Sequence, residues 1–295
     1  MRRIRRILVG AALAATGLAA VAAGQSHATA SPPPFVKGAA GADCTGGPPP
    51  QWLHVVVVVM ENHGYSQVIG HSPYVDALAT ACGLATSYHG VSYPSLPNYL
   101  AMTGGSTFGV RDDGSPSVHP INAPSIFGQV DSRSLEEGMR GNCSSSGGNL
   151  YAVKHNPQAY YTPIHNQCLQ RNVPLGSSPD LSAAYTFITP NLCHDTHNCP
   201  LSAGDSFLSG FVPALMRTPQ YQAGNTAIFV TWDTDNRHEG NHVATLVVAP
   251  SVRPGTKDAT AYNHYSLLKT VEQMLGVPEL GAAAGATSMR GGMHL

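Results

Sequence analysis

The strongest hydrophobic pattern in the chain is an apolar run that ends at Met60 and contains five consecutive valines, Val55 to Val59. A strand with one solvent-facing side alternates apolar and polar residues, whereas a strand buried on both faces of a parallel sheet reads as a continuous apolar run. Helices must cover both faces of such a sheet. The run therefore predicts an α/β fold with a central, mostly parallel sheet sandwiched between helices.

Further elements follow from clusters of β-branched and aromatic residues and from one amphipathic segment, whose apolar face carries Leu267, Leu268, Val271 and Leu275. The predicted strands cover residues 53–60, 150–153, 185–188, 227–232 and 245–249. The predicted helices cover residues 74–83, 96–102, 127–138 and 265–275, with a loop over 104–122. Several predicted strands are followed by polar residues, which is typical of a ligand site along the edge of an open α/β sheet.

The N-terminus has the three parts of a secretory signal peptide: an arginine cluster, an apolar run over 7–23, and the small-residue sequence Ala28-Thr29-Ala30. The apolar run is shorter than the roughly 20 residues of a membrane-spanning helix, and Gly10 and Gly17 interrupt it. We predict a signal peptide over 1–30, a flexible Pro/Gly/Ala-rich leader over 31–50, and a single domain over 51–295. The mature protein is expected to be secreted and monomeric, with no transmembrane segment.

The charge balance argues against nucleic acid as a partner. Without the four arginines of the signal peptide, 12 Lys and Arg stand against 17 Asp and Glu. Binding to a nucleic-acid backbone requires a basic face, which this balance does not provide. The chain also has 14 histidines although only 11% of its residues are charged, and imidazole suits metal and phosphate chemistry.

The six cysteines are an even number in a chain predicted to be exported, so they indicate disulfides. Many pairings are possible, and the sequence-local set is Cys44–Cys82, Cys143–Cys168 and Cys193–Cys199. A zinc site is the alternative, but no two of the cysteines have the close Cys-x2-Cys spacing that zinc sites commonly use.

Oxygen ligands for a divalent cation follow two of the predicted strands. Glu61 and Asn62 come directly after the valine run, and Asp233 and Asp235 follow the strand that ends at Trp232. A carboxylate beside an amide oxygen suits a hard divalent ion. A turn capped by Asn62, and a solvated acidic loop after Trp232, are the alternatives without a metal.

A candidate nucleophile, Ser95, lies in the sequence Tyr93-Pro94-Ser95-Leu96-Pro97-Asn98-Tyr99. The prolines on both sides restrict the backbone and could aim the hydroxyl into a cleft, where a metal would lower its pKa. The alternative is that Ser95 only caps a helix. Imidazoles follow later, two of them in the loop between Cys193 and Cys199 and one at His242.

Seven short motifs occur in a fixed order along the chain: Glu61-Asn62, Ser95-Leu96-Pro97-Asn98-Tyr99-Leu100, Lys154-His155-Asn156-Pro157, Asp195-Thr196-His197-Asn198-Cys199, Gly204-Asp205, Trp232-Asp233 and Asn241-His242-Val243. This ordered set resembles the phosphoesterase family that joins bacterial secreted acid phosphatases to non-specific phospholipases C, within the alkaline-phosphatase-like superfamily. Each motif is weak alone, but the order is specific. The resemblance extends from about Leu53 to about Val277.

The resemblance implies an alkaline-phosphatase-like fold, one divalent metal ion, and a serine that is transiently phosphorylated. Ser95 matches that nucleophile. The metal ligands that it implies are Glu61, Asn62, Ser95 and Asp233, with Asp235 as a further candidate. The residues implied around the phosphate are Asn98, His155 and His197, with His242 and His264 as looser candidates.

One position departs from the family pattern. Members usually carry a second acid directly after the aspartate of the Trp-Asp motif, and this chain has Thr234 there. Asp235 could substitute after a small shift of the loop, or Thr234 or water could complete the coordination. The metal set is therefore less well defined by the sequence than the nucleophile.

The expected function is hydrolysis of phosphate monoesters, with phosphoinositide head groups as candidate substrates, through a phosphoseryl intermediate on Ser95. A phospholipase C-type phosphodiesterase acting on phospholipid head groups is the alternative within the family. The segment Gly204-Asp205-Ser206-Phe207-Leu208 resembles the nucleophile block of the GDSL esterases, although that block normally follows the first strand. A non-catalytic phosphate-binding protein is the remaining alternative, and Thr234 is its best support.

Overall fold

The computed structural model describes residue 44 and residues 47–295, so the predicted signal peptide and most of the predicted leader lie outside the described residues. The strands are β1 (His54–Met60), β2 (Gly83–His89), β3 (Ser132–Glu136), β4 (Asn172–Pro174), β5 (Tyr185–Thr189), β6 (Thr226–Trp232), β7 (His242–Val248), β8 (Thr256–Asp258) and β9 (Tyr262–Asn263). The α-helices are α1 (Tyr65–Val68), α2 (Pro73–Ala81), α3 (Ser95–Gly104), α4 (Ile126–Gln129), α5 (His165–Arg171), α6 (Leu201–Met216), α7 (Pro219–Gln222), α8 (His264–Leu275) and α9 (Arg290–Met293). Short 3-10 helices cover Val153–His155, Pro157–Tyr160, Thr162–Ile164 and Gly281–Gly285.

The strands form one sheet in the order β4-β3-β5-β1-β6-β7-β2-β8, with β9 beside β2. Strand β7 runs antiparallel to both of its neighbours, and the other pairings among the described strands are parallel. All five valines of β1 are buried. Because successive side chains of a strand point to opposite faces, both faces of the sheet are covered at β1. The predicted α/β fold with a mostly parallel central sheet is confirmed.

The strand register brings two acidic residues together. Strand β1 lies between β5 and β6, and its last residue, Met60, pairs with Trp232 at the end of β6. Because the two strands are parallel, the next residues, Glu61 and Asp233, leave the sheet side by side. The Asp233 amide donates to the Met60 carbonyl over 3.0 Å, and the Glu61 amide donates to the carbonyl of Asp195, in the loop after β5, over 2.8 Å.

The helices that cover the sheet pack in pairs, α3 with α8 and α2 with α6. The apolar face predicted for α8 points inward, since Leu267, Leu268 and Val271 are buried. The helix begins after Asn263, whose side chain accepts from two first-turn amides, and it ends at Gly276 with a positive φ of 68°. No helix in the described part of the chain has the length and apolarity needed to cross a bilayer.

Two predicted elements are wrong. The helix predicted over 127–138 is only the short α4, and β3 follows it because residues 132–136 pair with β5. Two buried positions of that strand, Ser132 and Ser134, are polar, so its sequence lacks the apolar pattern that identifies a buried strand. The strand predicted over 150–153 is a single bridge between Tyr151 and Gly148, and a 3-10 helix begins at Val153. Helix α6 and strand β2 were not predicted, because Gly, Ser and Thr residues interrupt their patterns.

All three predicted disulfides are confirmed: Cys44–Cys82, Cys143–Cys168 and Cys193–Cys199. Their Cα–Cα distances are 5.3, 5.3 and 4.7 Å, within the range that the bond requires. No free cysteine is found among the described residues, so the zinc alternative has no thiol ligands. The last bridge closes the loop that carries Asp195 and His197.

Candidate active site

Two buried carboxylates form the floor of the site at the C-terminal edge of β1 and β6. Burial alone would raise the pKa of Glu61, but the charge and hydrogen bond of His155 hold it below its usual value. Burial, and then the negative charge of Glu61, raise the pKa of Asp233 well above its usual value. Asp233 Oδ1 accepts from the amides of Asn62 and Thr234 at 3.2 and 2.7 Å, whereas its buried Oδ2 has no hydrogen-bond partner in residues 44 and 47–295.

Ser95 stands over these carboxylates as the first residue of α3. Its hydroxyl donates to Glu61 Oε2 over 3.0 Å, and it lies close enough to Asp233 to lower the pKa of that carboxyl. One helical turn later, the Tyr99 hydroxyl donates to Glu61 Oε1 over 2.7 Å. Because residues four apart share one face of a helix, α3 presents both hydroxyls to the same carboxylate.

Asn62 completes an oxygen cluster beside Ser95. Its φ of 53° turns the chain sharply after Glu61, in a left-handed conformation that asparagine tolerates better than most residues. The Thr234 hydroxyl donates to Asn62 Oδ1 over 3.0 Å. Thr234, which stands where the family usually has a second acid, therefore faces the same cluster through its hydroxyl.

The donor set fits a hard divalent cation. Glu61 and Asp233 supply two carboxylates, Asn62 an amide oxygen and Ser95 a hydroxyl, and Asp233 Oδ2 is a buried acceptor without a hydrogen-bond partner among the described residues. Within residues 44 and 47–295, no group of three or more His, Cys, Asp and Glu side chains is arranged to hold a metal ion. A cation here would therefore depend on the amide and hydroxyl oxygens as well as on the two acids.

His155 lies behind Glu61, with its side chain only 2% exposed. Its Nε2 is 3.1 Å from Glu61 Oε1, and its Nδ1 is 3.4 Å from Asp195 Oδ2. Burial would lower the pKa of His155, but these two carboxylates raise it, so the imidazole is held as a cation. The ring also stacks on Tyr99, with centroids 5.2 Å apart. His155 does not line the cleft described below, so this geometry makes it a positioning residue for Glu61.

A cleft opens above Ser95, and its walls contain both acids and bases. Its lining residues are Asn62, Tyr93, Pro94, Ser95, Asp113, Lys154, His197, Thr234, Asn236 and Arg237. Lys154 Nζ is 3.0 Å from Asp113 Oδ2 and 3.4 Å from His197 Nε2. Asp195 Oδ1 accepts from the His197 amide over 2.7 Å, and His197 Nδ1 is 2.7 Å from Asn198 Oδ1. The disulfide-closed loop thus places one imidazole on the cleft wall.

Asn98 does not face the cleft. Its Oδ1 accepts from the amides of Val91 and Ser92 at 2.9 and 3.0 Å, and its Nδ2 donates to the carbonyls of Ser92 and Pro94 at 2.8 and 2.9 Å. The side chain is fully buried. Since the amide already uses donors and acceptors on the backbone, the structure gives the predicted phosphate contact a different function: it holds the segment that leads into Ser95.

Replacing Asn98 with alanine is expected to lower the free energy of unfolding by about 2–4 kcal/mol, because several buried backbone groups lose their partners together. Urea denaturation followed by circular dichroism measures this. The matched control is Asn142→Ala, which removes one exposed amide that bonds the Leu169 carbonyl and should cost less than about 0.5 kcal/mol. An Asn98→Ala protein of wild-type stability whose KM alone rises would instead support a phosphate contact.

Asp235 is turned away from the carboxylate pair. Its Oδ1 accepts from the Arg237 amide over 2.7 Å and from the Tyr93 hydroxyl, and its Oδ2 accepts from the amides of Asn241, over 2.7 Å, and Glu239. Both oxygens are therefore occupied in organising the loop after β6. The structure does not bring Asp235 together with Glu61 and Asp233 as a ligand, and Thr234 is the neighbour that faces Asn62.

The two remaining candidate histidines serve other contacts. His242 is stacked between Tyr65 and His89, at centroid distances of 4.4 and 5.0 Å, and its Nε2 is 3.0 Å from the Thr86 carbonyl oxygen. His264 is fully buried, and its Nε2 is 2.7 Å from the Asp233 carbonyl oxygen. His242 is thus not among the groups that the structure collects around Ser95, and His264 contacts the site through the backbone of Asp233.

The esterase-like segment has a structural function. Gly204, Asp205 and Ser206 lie inside α6, and Ser206 is exposed there rather than presented at the end of the first strand. The Asp205 carboxylate accepts from the amides of Tyr74 and Val75 at 3.0–3.1 Å and so caps α2. The GDSL esterase alternative is wrong, because the segment contains no nucleophile arranged for catalysis.

Five groups of the site were given no role from the sequence: Tyr99, Asp113, Lys154, Asp195 and Arg237. Tyr99 had a usable signal, since it follows Ser95 by four residues in a predicted helix. Asp195 and Lys154 lie within two of the seven motifs, but the sequence did not indicate which groups they contact. Asp113 and Arg237 lie in loops, and only the folded chain shows that they reach the cleft.

Comparisons with known proteins find related sequences and structures. The profile of the Phosphoesterase family matches residues 72–278. Phosphatidylinositol-3-phosphatase of Mycobacterium tuberculosis is 29% identical over 255 residues, which cover 80% of this chain and 81% of that protein. An acid phosphatase of Aspergillus fumigatus is 27% identical over 228 residues, and the match covers 69% of this chain but about half, 51%, of the fungal protein. A Vibrio parahaemolyticus structure from the alkaline phosphatase superfamily has the same fold, with a TM-score of 0.54 at 14% identity, over 85% of this chain and 73% of that one.

Proposed function

This chain belongs to the phosphoesterase family, and we propose that within it the protein is a secreted, metal-dependent phosphatase that hydrolyses phosphate monoesters through a phosphoseryl intermediate on Ser95. The coarser statement, that it is a phosphoric ester hydrolase, follows from the family and from relatives that are named as phosphatases. One observation supports the finer proposal most strongly. The Ser95 hydroxyl lies 3.0 Å from a buried carboxylate, beside a second acid with an unpartnered oxygen, at the base of a cleft.

The first half of the reaction forms a bond between Ser95 Oγ and phosphorus and breaks the bond from phosphorus to the alcohol oxygen. The serine proton already lies in a hydrogen bond to Glu61, so this carboxylate orients the hydroxyl; it would accept that proton as the bond to phosphorus forms and return it to the Ser95 oxygen when the phosphoseryl bond breaks. Lys154, on the cleft wall, contributes positive charge for the phosphoryl oxygens. A water molecule then attacks phosphorus in the second half, which releases inorganic phosphate and restores the serine.

His197 is the group placed to move a proton within the cleft. Its Nδ1 contacts Asn198 Oδ1, and its Nε2 faces Lys154. Protonated, it would donate to the leaving alcohol, and neutral, it would accept a proton from the attacking water. A divalent cation held by Glu61, Asn62, Ser95 and Asp233 would supply the remaining charge neutralisation and lower the pKa of the serine hydroxyl.

Monoesters are favoured over diesters by the relatives. The mycobacterial relative is named for removing a phosphate from a phosphoinositide, and the fungal relatives are named acid phosphatases. Three disulfides support export to an oxidising compartment. A phosphoinositide head group, either lipid-bound or free, is thus a candidate substrate.

A three-substrate panel tests the proposal. The protein is expected to release phosphate from p-nitrophenyl phosphate and from phosphatidylinositol 3-phosphate, with kcat/KM at least about a hundredfold above that for the p-nitrophenyl phosphocholine diester, because a monoester supplies an additional charge to the cationic wall. Ser95→Ala protein, purified in parallel, controls for contaminating phosphatases. Preference for the diester would favour a phospholipase C-type enzyme, and phosphate binding without turnover of any substrate would favour a non-catalytic binding protein.

A further inference from the structure

Arg237 places a second cation at the mouth of the cleft that contains Ser95. Its guanidinium carbon lies 4.6 Å from the centroid of the Tyr93 ring, and both residues line the cleft. A guanidinium over an aromatic face keeps its N–H donors at the ring edge, where they remain able to bind an anion. This contact fixes the position of the charge without neutralising it.

The loop that carries Arg237 is held at several points. The Asp235 carboxylate accepts from three backbone amides of this loop and from the Tyr93 hydroxyl. The Ser66 amide and hydroxyl donate to the Glu239 carboxylate at 3.0 and 2.6 Å, and the Asn241 side chain donates to the Ser92 carbonyl over 2.9 Å. These contacts connect the loop to α1 and to the segment before α3, so the position of Arg237 relative to Ser95 is built into the fold.

The backbone at the tip of this loop is strained. Asn236 and Arg237 have φ values of 60° and 66°, and an arginine in the left-handed region is uncommon. Such a conformation persists where surrounding contacts enforce it, and it is frequent at ligand sites. Here, the Arg237 amide donates to Asp235 Oδ1 over 2.7 Å, which holds the strained residue with its side chain on Tyr93.

Arg237 differs from Lys154, the other cation of the cleft wall, in its ion pairing. Lys154 is paired with Asp113 at 3.0 Å, whereas no ion pair to Arg237 is found among the described residues. Both acids of its own loop are occupied by other groups, because the Asp235 carboxylate accepts from backbone amides and Tyr93, and the Glu239 carboxylate accepts from Ser66. A cationic group that is fixed, exposed and unneutralised at the mouth of a phosphate-ester site is arranged for a second anionic group of the substrate.

We propose that Arg237 is a specificity-determining residue, which selects phosphate monoesters whose alcohol carries a second phosphate. This inference rests on the proposed function, because it assigns the leaving alcohol to the mouth of the cleft while the transferred phosphoryl group lies at Ser95. A phosphorylated polyol has this chemistry, either free or as the head group of a lipid. The bidentate fork of arginine suits phosphate better than the single ammonium of lysine.

Two soluble substrates that differ only by the second phosphate, inositol 1,3-bisphosphate and inositol 3-phosphate, test the proposal. The ratio of their kcat/KM values is expected to fall about tenfold in Arg237→Gln, chiefly through the KM of the bisphosphate, because one charge-assisted contact is lost. The ratio for Arg237→Lys should lie between the ratios for the wild type and Arg237→Gln. Arg253→Gln removes an exposed arginine from another loop and should keep the wild-type ratio.

The lipid and the free polyol are distinguished by adding dioctanoyl phosphatidylinositol 3-phosphate as monomers and the long-chain lipid in phosphatidylcholine vesicles. An effect of Arg237→Gln on both the bisphosphate and the monomeric lipid indicates recognition of the second phosphate itself. The role given to Arg237 would be overturned, and the phosphatase proposal left intact, by an unchanged ratio in Arg237→Gln. The same holds if kcat/KM for inositol 3-phosphate falls as much as kcat/KM for the bisphosphate. A wild-type protein that hydrolyses none of these esters would overturn the proposed function itself.

Discussion

Replacing Ser95 with alanine is expected to lower kcat by several orders of magnitude, because the variant cannot form the covalent intermediate and loses the hydroxyl beside Glu61. The substitution removes one oxygen from a residue that is only 3% exposed and adds no bulk, so the fold should be retained. Stopped-time assays with p-nitrophenyl phosphate measure the loss, and circular dichroism checks the fold.

Ser92→Ala is the matched control for Ser95→Ala. Ser92 lies three residues earlier. Within the described part of the chain, its hydroxyl has one hydrogen bond, to the adjacent Tyr93 carbonyl at 3.3 Å, while its backbone is held by Asn98. Loss of the Ser92 hydroxyl should leave kcat close to the wild-type value. Acid quenching of the wild type with a labelled phosphate ester should place the label on the peptide that contains Ser95. Label on a histidine instead would show that the double displacement uses another nucleophile.

Removal of divalent metal is expected to abolish activity. Glu61 and Asp233 are buried side by side, and burial together with the charge of Glu61 raises the pKa of Asp233, so a cation would be needed to keep both carboxylates ionised near the substrate. Chelation followed by dialysis prepares the metal-free protein, and elemental analysis during reconstitution counts the ions. One ion per chain should restore turnover, and it should also raise the midpoint of thermal unfolding, since a ligand that binds only the folded state stabilises it. Full activity in metal-free protein would contradict the proposed mechanism.

A pair of variants separates the two acids that follow β6. Asp233→Asn should lose the bound ion in elemental analysis, because it removes a carboxylate of the proposed ligand set. Asp235→Asn should still bind one ion per chain, because the Asp235 oxygens are occupied by the loop after β6 and by Tyr93. Loss of metal in both variants would return Asp235 to the ligand set and require that loop to move.

The sequence alone determined the parts of this protein that depend on local pattern. A run of five β-branched valines favours a strand covered on both faces, so the central position of β1 and the α/β class were predictable. The amphipathic face of α8 and the Cys193–Cys199 disulfide were predictable in the same way. The nucleophile and the Glu61–Asn62 pair were predicted from short motifs and their order, which the chain carries whether or not it is folded.

The tertiary structure decided which side chains meet. Asn98 and His155 belong to the right motifs, but packing turned one towards the backbone before Ser95 and placed the other behind Glu61. Asp235 and Thr234 are equally acceptable candidates along the chain, and only the turn after β6 shows which one faces Asn62. Strand β3 exists because β5 offers it a pairing edge, which residues 132–136 do not encode by themselves. The contacts of Asp113 and Arg237 join loops far apart in sequence, and such long-range contacts depend on the whole fold because no local propensity specifies them.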